Sequence, residues 1–444
     1  MAAITKKDTY QSIFDTQNGR NYLDTLESAA KITSGQSFLY TKSGARSMVF
    51  KIRLTENIDQ QLLQRAVNLS LQRFPYFTSK LIEKNSVYCL ARNDLPVIVA
   101  ETDELRELGS RNVNEHLIDI IFKAENIFIS YHHAITDGKG IKPFIETILY
   151  YYFALKTRTL PSIDEVSKND EPLKPGELLE PFENFQQGKE EKQKIPQINH
   201  NGHQLLESKH DELGNKSCRY ELIIDQNDFI HFAKTHNASL AIALAIMLQQ
   251  AVRKAYPYTE LPIVANMASD LRQGAVHKNS FRNCVGSIAL ACDTNILNDK
   301  DFTVLATKYR KLIQEHKQPA SLKADIAKMI HLFDKLDSLK THEAKQEMFS
   351  FFDKMIINSF ILSYSGQTKL GNFEKYIDEM HTYMSGTKGL SVQVLATNGK
   401  IFVDMQQSFN SNVYCETLSQ ILDEYGINHK ASEGIMFETP HAKF

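Results

Sequence analysis

At 444 residues the chain is too long for one hydrophobic core, so two domains are expected, or three. Hydrophobic residues make up 42% and charged residues 23%, as in a globular protein rather than a disordered one. A net charge of -2, with basic residues scattered along the chain, gives no general attraction to nucleic acid or to an acidic membrane surface.

Ser47 to Leu54 reads as a strand, followed by a helix from about Ile58 to Phe74 with Leu62, Ala66 and Leu69 at core-facing spacing. Pro75 stops that helix, because proline disfavours helical geometry in the residue before it. Three short extended runs follow, at Phe77 to Ile82, Ser86 to Ala91 and Pro96 to Ala100. The strand Asn126 to Tyr131 runs directly into a histidine pair, and a helix follows from about Ile141 to Leu155. From Lys156 to about Gly202, five of the chain's 12 prolines and charged runs such as Lys189-Glu190-Glu191-Lys192 replace any apolar period, as in a crossover linker. This divides the chain into a first domain at 1–160, a crossover at 161–205 and a second domain at 206–444.

The second half opens with a strand at Cys218 to Ile224, a short helix at about Gln226 to Thr235 and a buried helix from Ser239 to about Ala255. Strands at Leu261 to Met267 and Cys284 to Cys292 precede charged amphipathic helices over roughly Asp301 to Leu339. A strand at Asn358 to Tyr364 leads to Ser365-Gly366. A hairpin of Ser391 to Ala396 and Lys400 to Met405 turns at Asn398-Gly399, and a last helix covers about Asn412 to Tyr425. Alternating strands and helices in both halves predict an α/β protein.

The start, Met1 to Lys7, lacks the apolar run of a signal peptide, and no stretch reaches the roughly 18 apolar residues that span a bilayer. A cytoplasmic protein without membrane insertion is expected. The five cysteines are odd in number and never spaced C-x-x-C, which argues for buried free thiols rather than disulfides or a zinc ribbon.

Glycine-rich phosphate loops, a G-x-S-x-G elbow and H-E-x-x-H are all missing from the sequence. The run His132-His133-Ala134-Ile135-Thr136-Asp137-Gly138 is what carries chemistry. It stands where an apolar strand turns into a helix, and an imidazole takes and returns protons near neutral pH. Zinc held by His132, His133 and Asp137 is disfavoured, because successive strand residues point to opposite faces, so no metal is expected.

The H-H-x-x-x-D-G run resembles that of the chloramphenicol acetyltransferase-like superfamily, which includes peptide-synthetase condensation domains and alcohol acetyltransferases. Asn21 to Asp24, Ala29 to Lys31, Ile58 to Phe77 with its Arg73-Phe74-Pro75-Tyr76-Phe77 end, Asp270 to Arg272 and Phe281 to Gly286 are similar to other segments of that group, so that the likeness covers nearly the whole chain. The resemblance implies two α/β domains flanking a substrate tunnel. It implies an acyltransferase without a bound cofactor, in which His133 is the general base for direct attack on a thioester. The donor would be acyl-CoA and the acceptor an alcohol or amine. An acyl group on the phosphopantetheine arm of a separate carrier protein is the alternative donor, and a non-catalytic binding protein of the same fold is the alternative class. The resemblance further pairs Asp137 with Arg272 as structural support for the turn, together with Gly138 and His132. Ser363 or Ser365 is the candidate oxyanion or substrate contact. The tryptophan-containing D-F-G-W-G motif of the plant BAHD acyltransferases is missing, and the chain has no tryptophan.

Without the resemblance, Asp270 and Arg272 read as an exposed surface pair of little consequence. His200-Asn201-Gly202-His203 reads as a solvent-exposed part of the linker, and Tyr150-Tyr151-Tyr152 as helix packing.

Overall fold

The structure is a computed structural model that describes residues 9–26, 30–41, 46–186, 202–206, 213, 216–293, 299–355 and 358–439. The segment 1–7, Ala29, the charged run 189–192, Pro196 and His200-Asn201 lie outside the described residues.

The first half runs α1 (Ser12–Asp15), α2 (Gln17–Thr25), β1 (Ala30–Lys31), α3 (Gln36–Tyr40), β2 (Ser47–Leu54), α4 (Gln60–Arg73), β3 (Lys80–Lys84), β4 (Val87–Ala91), β5 (Ala100–Glu101), β6 (Ile118–Lys123), β7 (Asn126–His132) and α5 (Gly138–Thr157). The second half runs β8 (Ser217–Asp225), α6 (Gln226–Thr235), α7 (Leu240–Ala255), β9 (Ile263–Asp270), β10 (Val285–Cys292), α8 (Asp299–His316), α9 (Pro319–Ser338), α10 (His342–Met355), β11 (Phe360–Gln367), β12 (Ile377–Met384), β13 (Leu390–Thr397), β14 (Lys400–Gln407), α11 (Val413–Glu424), β15 (His429–Ala431) and β16 (Ile435–Phe437).

Local chemistry sets the boundaries. Asp59 caps α4 by accepting from the Leu62 amide at 3.0 Å, and Pro75 begins a short 3-10 turn where the helix stops. Phe77 to Thr78, expected to be extended, lies in that turn. Asn398 and Gly399 both take positive φ, 48° and 73°, as a two-residue hairpin between twisted strands requires.

The described strands form three sheets. β5 to β7 join β2 and β12 in the order β12-β2-β7-β6-β5, while the second sheet runs β10-β9-β11-β13-β14-β8-β15, with β16 also on β8. A small sheet, β1-β4-β3, stands beside them. β12 comes from the second half of the sequence but pairs antiparallel with β2, Thr382 opposite Phe50 and Met384 opposite Met48. Two cores follow from this arrangement. One packs α4, α5 and the first sheet with α9, and the other packs α7 and α11 on the second sheet.

The described part of the Pro-rich stretch is held, not loose. Val166, Leu178 and Phe182 are buried in the first core, and Glu177 takes both guanidinium nitrogens of buried Arg73 at 2.8 and 2.9 Å. Gly202 is buried, and His203 is half-buried, donating its amide to the Pro262 carbonyl at 2.8 Å, which corrects the solvent-exposed reading for these two residues. The backbone satisfies itself against the second sheet there, which sequence spacing alone does not reveal. The three tyrosines of α5 are buried in the first core, and all five cysteines are free and buried. Among the described residues no helix is long and apolar enough to cross a membrane.

Candidate active site

The alternation along β7 turns Tyr131 toward a cavity and ends the strand at His132, which pairs with Ser47 of β2. The His132 Nδ1 accepts the Ala134 amide at 3.1 Å, and burial pushes its pKa down to about 3, with neighbouring His133 adding to the effect. His132 is therefore a neutral imidazole spent on closing the turn. Tyr76 donates its hydroxyl to the Ile135 carbonyl at 2.7 Å, and Thr136 donates to the Phe281 carbonyl at 2.6 Å, clamping the turn from both sides. Asp137 then caps α5, accepting from the Gly140 amide at 2.8 Å.

Close backbone approach fixes this path. A Cβ at Gly140 would stand 2.1 Å from the Phe281 carbonyl oxygen, so only glycine fits. At Gly138 a Cβ would meet nothing nearer than the Ser365 hydroxyl, at 3.7 Å.

His133 itself is half-buried on the cavity wall. Its amide donates to the Arg46 carbonyl at 2.7 Å, and its ring stacks flat on Phe38, 3.9 Å between centroids at 3°. Asn283, only 2% exposed, donates its Nδ2 to the His133 carbonyl at 2.6 Å and to the Thr136 carbonyl at 3.3 Å. Two carbonyls thus fix the orientation of the amide, and the same nitrogen lies 2.9 Å from His133 Nδ1. His133 Nε2 has no hydrogen-bond partner among the described residues. Burial holds the His133 pKa below the usual histidine range, against smaller opposing effects from its own carbonyl and Asp137. The ring is neutral near pH 7.

The cavity has a volume of about 670 Å³, a size suited to small-molecule ligands. The first sheet lines it with Met48, Phe50, Tyr131, Thr382 and Met384; the second contributes Asn266, Ser363, Ser365 and Gln393, among others. Ser363 and Ser365 are half-buried, two residues apart on β11. Of the charged side chains in the lining, Lys388 is exposed and Asp137 is fully engaged. Asp137 takes Arg272 in a two-pronged pair at 2.9 and 3.0 Å and also accepts the Cys284 amide at 2.8 Å. Arg272 further donates to Asp270 and to the Ser280 and Arg282 carbonyls. It is 4% exposed, so the surface-pair reading of Asp270 and Arg272 is wrong: a guanidinium with this many acceptors is a buried hub.

Glu221, His381 and Asp404 are the one group among the described residues with spacing that could hold a metal ion. His381 Nδ1 faces Asp404 at 3.1 Å while Nε2 faces Glu221 and Glu379, each at 3.6 Å. Arg219 already donates to Glu221 at 2.6 Å. An imidazole with carboxylates at both nitrogens is a bridging cation rather than a ligand set, and this cluster ties β12 to β8 and β14.

Sequence reasoning did not single out Asn283, Phe38, Gly140 or the His381 cluster. Asn283 lay within the segment of resemblance, but its contact with His133 spans 150 residues.

No family model matches the sequence, and neither does any curated protein. Solved structures do match. Polyketide synthase associated protein 5 from Mycobacterium tuberculosis is 14% identical, over 89% of this chain and 98% of its own, with a TM-score of 0.59. The starter condensation domain of rhizomide synthetase, solved in complex with C8-CoA, is 12% identical over 91% and 94%, at 0.58. The trichothecene 15-O-acetyltransferase TRI3 from Fusarium sporotrichioides is 10% identical over 89% and 94%, at 0.56. The chain has the two-lobed α/β fold of these condensation domains and acyltransferases. Its histidine turn stands on a cavity between the two large sheets of that fold.

Proposed function

We propose that this protein is an acyltransferase moving an acyl group from a thioester, acyl-CoA in the first instance, to an alcohol or amine. The observation that carries the reading is His133 on the cavity wall: both Asn283 amide hydrogens go to the His133 and Thr136 carbonyls, and the ring Nδ1–H turns to its own carbonyl, which leaves Nε2 unprotonated and without a partner among the described residues. Nε2 takes the proton from the acceptor O–H or N–H as that oxygen or nitrogen attacks the thioester carbonyl carbon. The tetrahedral intermediate collapses, the C–S bond breaks, and the thiolate leaves with the proton from Nε2. No acyl-enzyme forms, and no metal or resident cofactor takes part. A positioned base of this kind contributes about 10² to 10⁴ in rate. Asp137 and Arg272 support the turn rather than relay protons, since Asp137 is occupied by Arg272 and two backbone amides. Ser363 and Ser365 offer hydroxyls toward the developing oxyanion.

The test is thiol release from a panel of acyl-CoAs with mixed alcohols and amines, for wild type and His133→Ala. Release that depends on His133 supports the reading. Release only from acyl groups loaded on a carrier protein moves the donor to that partner. Release that His133→Ala leaves unchanged removes the catalytic role, and binding without turnover in either protein points to the non-catalytic alternative.

A further inference from the structure

The cavity wall on the first sheet is mainly apolar, its polar side-chain atoms being the Tyr131 phenol and the Thr382 hydroxyl. Met48, Phe50, Tyr131 and Met384 surround Thr382, which is 1% exposed and whose hydroxyl has no hydrogen-bond partner among the described residues. Neighbouring polar groups of β12 are engaged: the Thr382 amide donates to Asp404 at 3.0 Å, and His381 faces Asp404 and Glu221 away from the cavity. A buried hydroxyl without a partner is a standing cost, and valine would fill the same volume without it. Of the charged side chains in the lining, Asp137 is paired with Arg272 and Lys388 is exposed to solvent, so a charged ligand group buried at Thr382 would be desolvated without a buried counter-charge.

We infer that the acceptor is a neutral, largely apolar molecule with a second hydrogen-bonding group, and that Thr382 receives that group and sets specificity. This rests on the reading of the cavity as the acceptor's site and names the class of molecule it takes. Register fixes the spacing. Tyr131 of β7 stands opposite Met48 of β2, and Met48 opposite Met384 of β12, with Thr382 one pleat further along. Thr382 stands opposite Phe50, and Phe50 opposite Ile129, so it lies two strands across and four residues along the sheet from His133, roughly 16 Å between backbones at the usual strand spacing and rise. The second polar group belongs at the far end of the acceptor from its reacting hydroxyl or amine.

The experiment measures dissociation constants without any acyl donor, so that it does not depend on turnover. The probes are two matched pairs: n-octanol against its terminal diol, and phenylbutanol against its para-hydroxyphenyl analogue. Wild type is expected to bind the polar member of at least one pair more tightly, and Thr382→Val to lose roughly five- to tenfold of that preference, the worth of one hydrogen bond. Thr382→Ser should keep it. The melting temperature of Thr382→Val should be unchanged or higher, where a structural hydroxyl would lower it. A preference untouched by Thr382→Val, wild-type preference for the apolar member of both pairs, or no binding of any probe overturns the inference. Failure of His133→Ala to reduce thiol release, by contrast, would count against the catalytic reading alone.

Discussion

Asn283 and His133 come from opposite halves of the chain and meet through one amide nitrogen, 2.6 Å from the histidine carbonyl and 2.9 Å from its Nδ1. Backbone and ring are therefore aimed together. Asn283→Ala is expected to lower kcat about 100-fold, the scale of a small misplacement of a reacting group, with KM little changed. Asn283→Asp should also lose stability, because a carboxylate would face two carbonyl oxygens. Steady-state kinetics and thermal melts check both, and a change confined to KM would count against a positioning role.

The pH profile follows from the depressed His133 pKa. A base works in its unprotonated form, so kcat/KM should rise with pH through a midpoint below 6.5 and then stay level to neutral pH and above. A midpoint above the ordinary histidine value would contradict the burial argument.

Arg272→Met should be among the most damaging substitutions outside the base. It leaves Asp137, 4% exposed, as an unpaired buried carboxylate, at a cost of about 3 to 5 kcal/mol. Pairing it with Asp137→Asn should recover part of that loss, because the stranded charge goes too. Denaturant unfolding of the two single variants and the double variant measures the coupling.

His381 makes a second pH prediction, of opposite sense. Burial alone would lower its pKa, but Asp404, Glu379 and Glu221 outweigh burial and raise it to about 9. A folded pKa above the unfolded 6.5 gives stability that is fully present below 6.5 and lost as pH rises through 9. The full effect is on the order of 3 kcal/mol by the linkage relation. Unfolding curves across that window should show the slope, and His381→Gln should flatten it.

The two glycines of the turn should separate cleanly. Gly140→Ala drives a methyl group into the Phe281 carbonyl and the Thr136 hydroxyl, 2.1 and 2.3 Å away, and should cost about 1 to 3 kcal/mol or prevent folding. Gly138→Ala should be tolerated. Melting temperatures of the two variants decide it.

What the sequence revealed and what it concealed divide along physical lines. β7, α4 and the β13–β14 hairpin carry their signals locally, in alternation, capping and an Asn-Gly turn, and could be read. The Asp137–Arg272 partnership was reached only through resemblance, since nothing local announces a contact 135 residues apart. β12 was missed because Ile377-Asp378-Glu379-Met380-His381-Thr382-Tyr383-Met384 mixes charge with apolar residues. Its polar face is buried against Glu221 and Asp404 rather than turned to water. β6 was missed although its five leading residues are all buried, as a short apolar run beside a stronger neighbour gives no boundary. Asn283 has the composition of an ordinary loop residue, and only the assembled turn reveals what it holds.

The insertion of β12 has a consequence for how the molecule is made. Until residue 384 has been synthesised, β2 is the open edge of the first sheet, an eight-residue strand with mostly buried, apolar side chains and unpaired backbone groups. A ribosome adding about 5 to 20 residues per second leaves that edge uncovered for tens of seconds after β2 emerges. The nascent chain is therefore exposed to strand-to-strand aggregation through most of its own translation, and its final shape waits on one of the last strands to arrive.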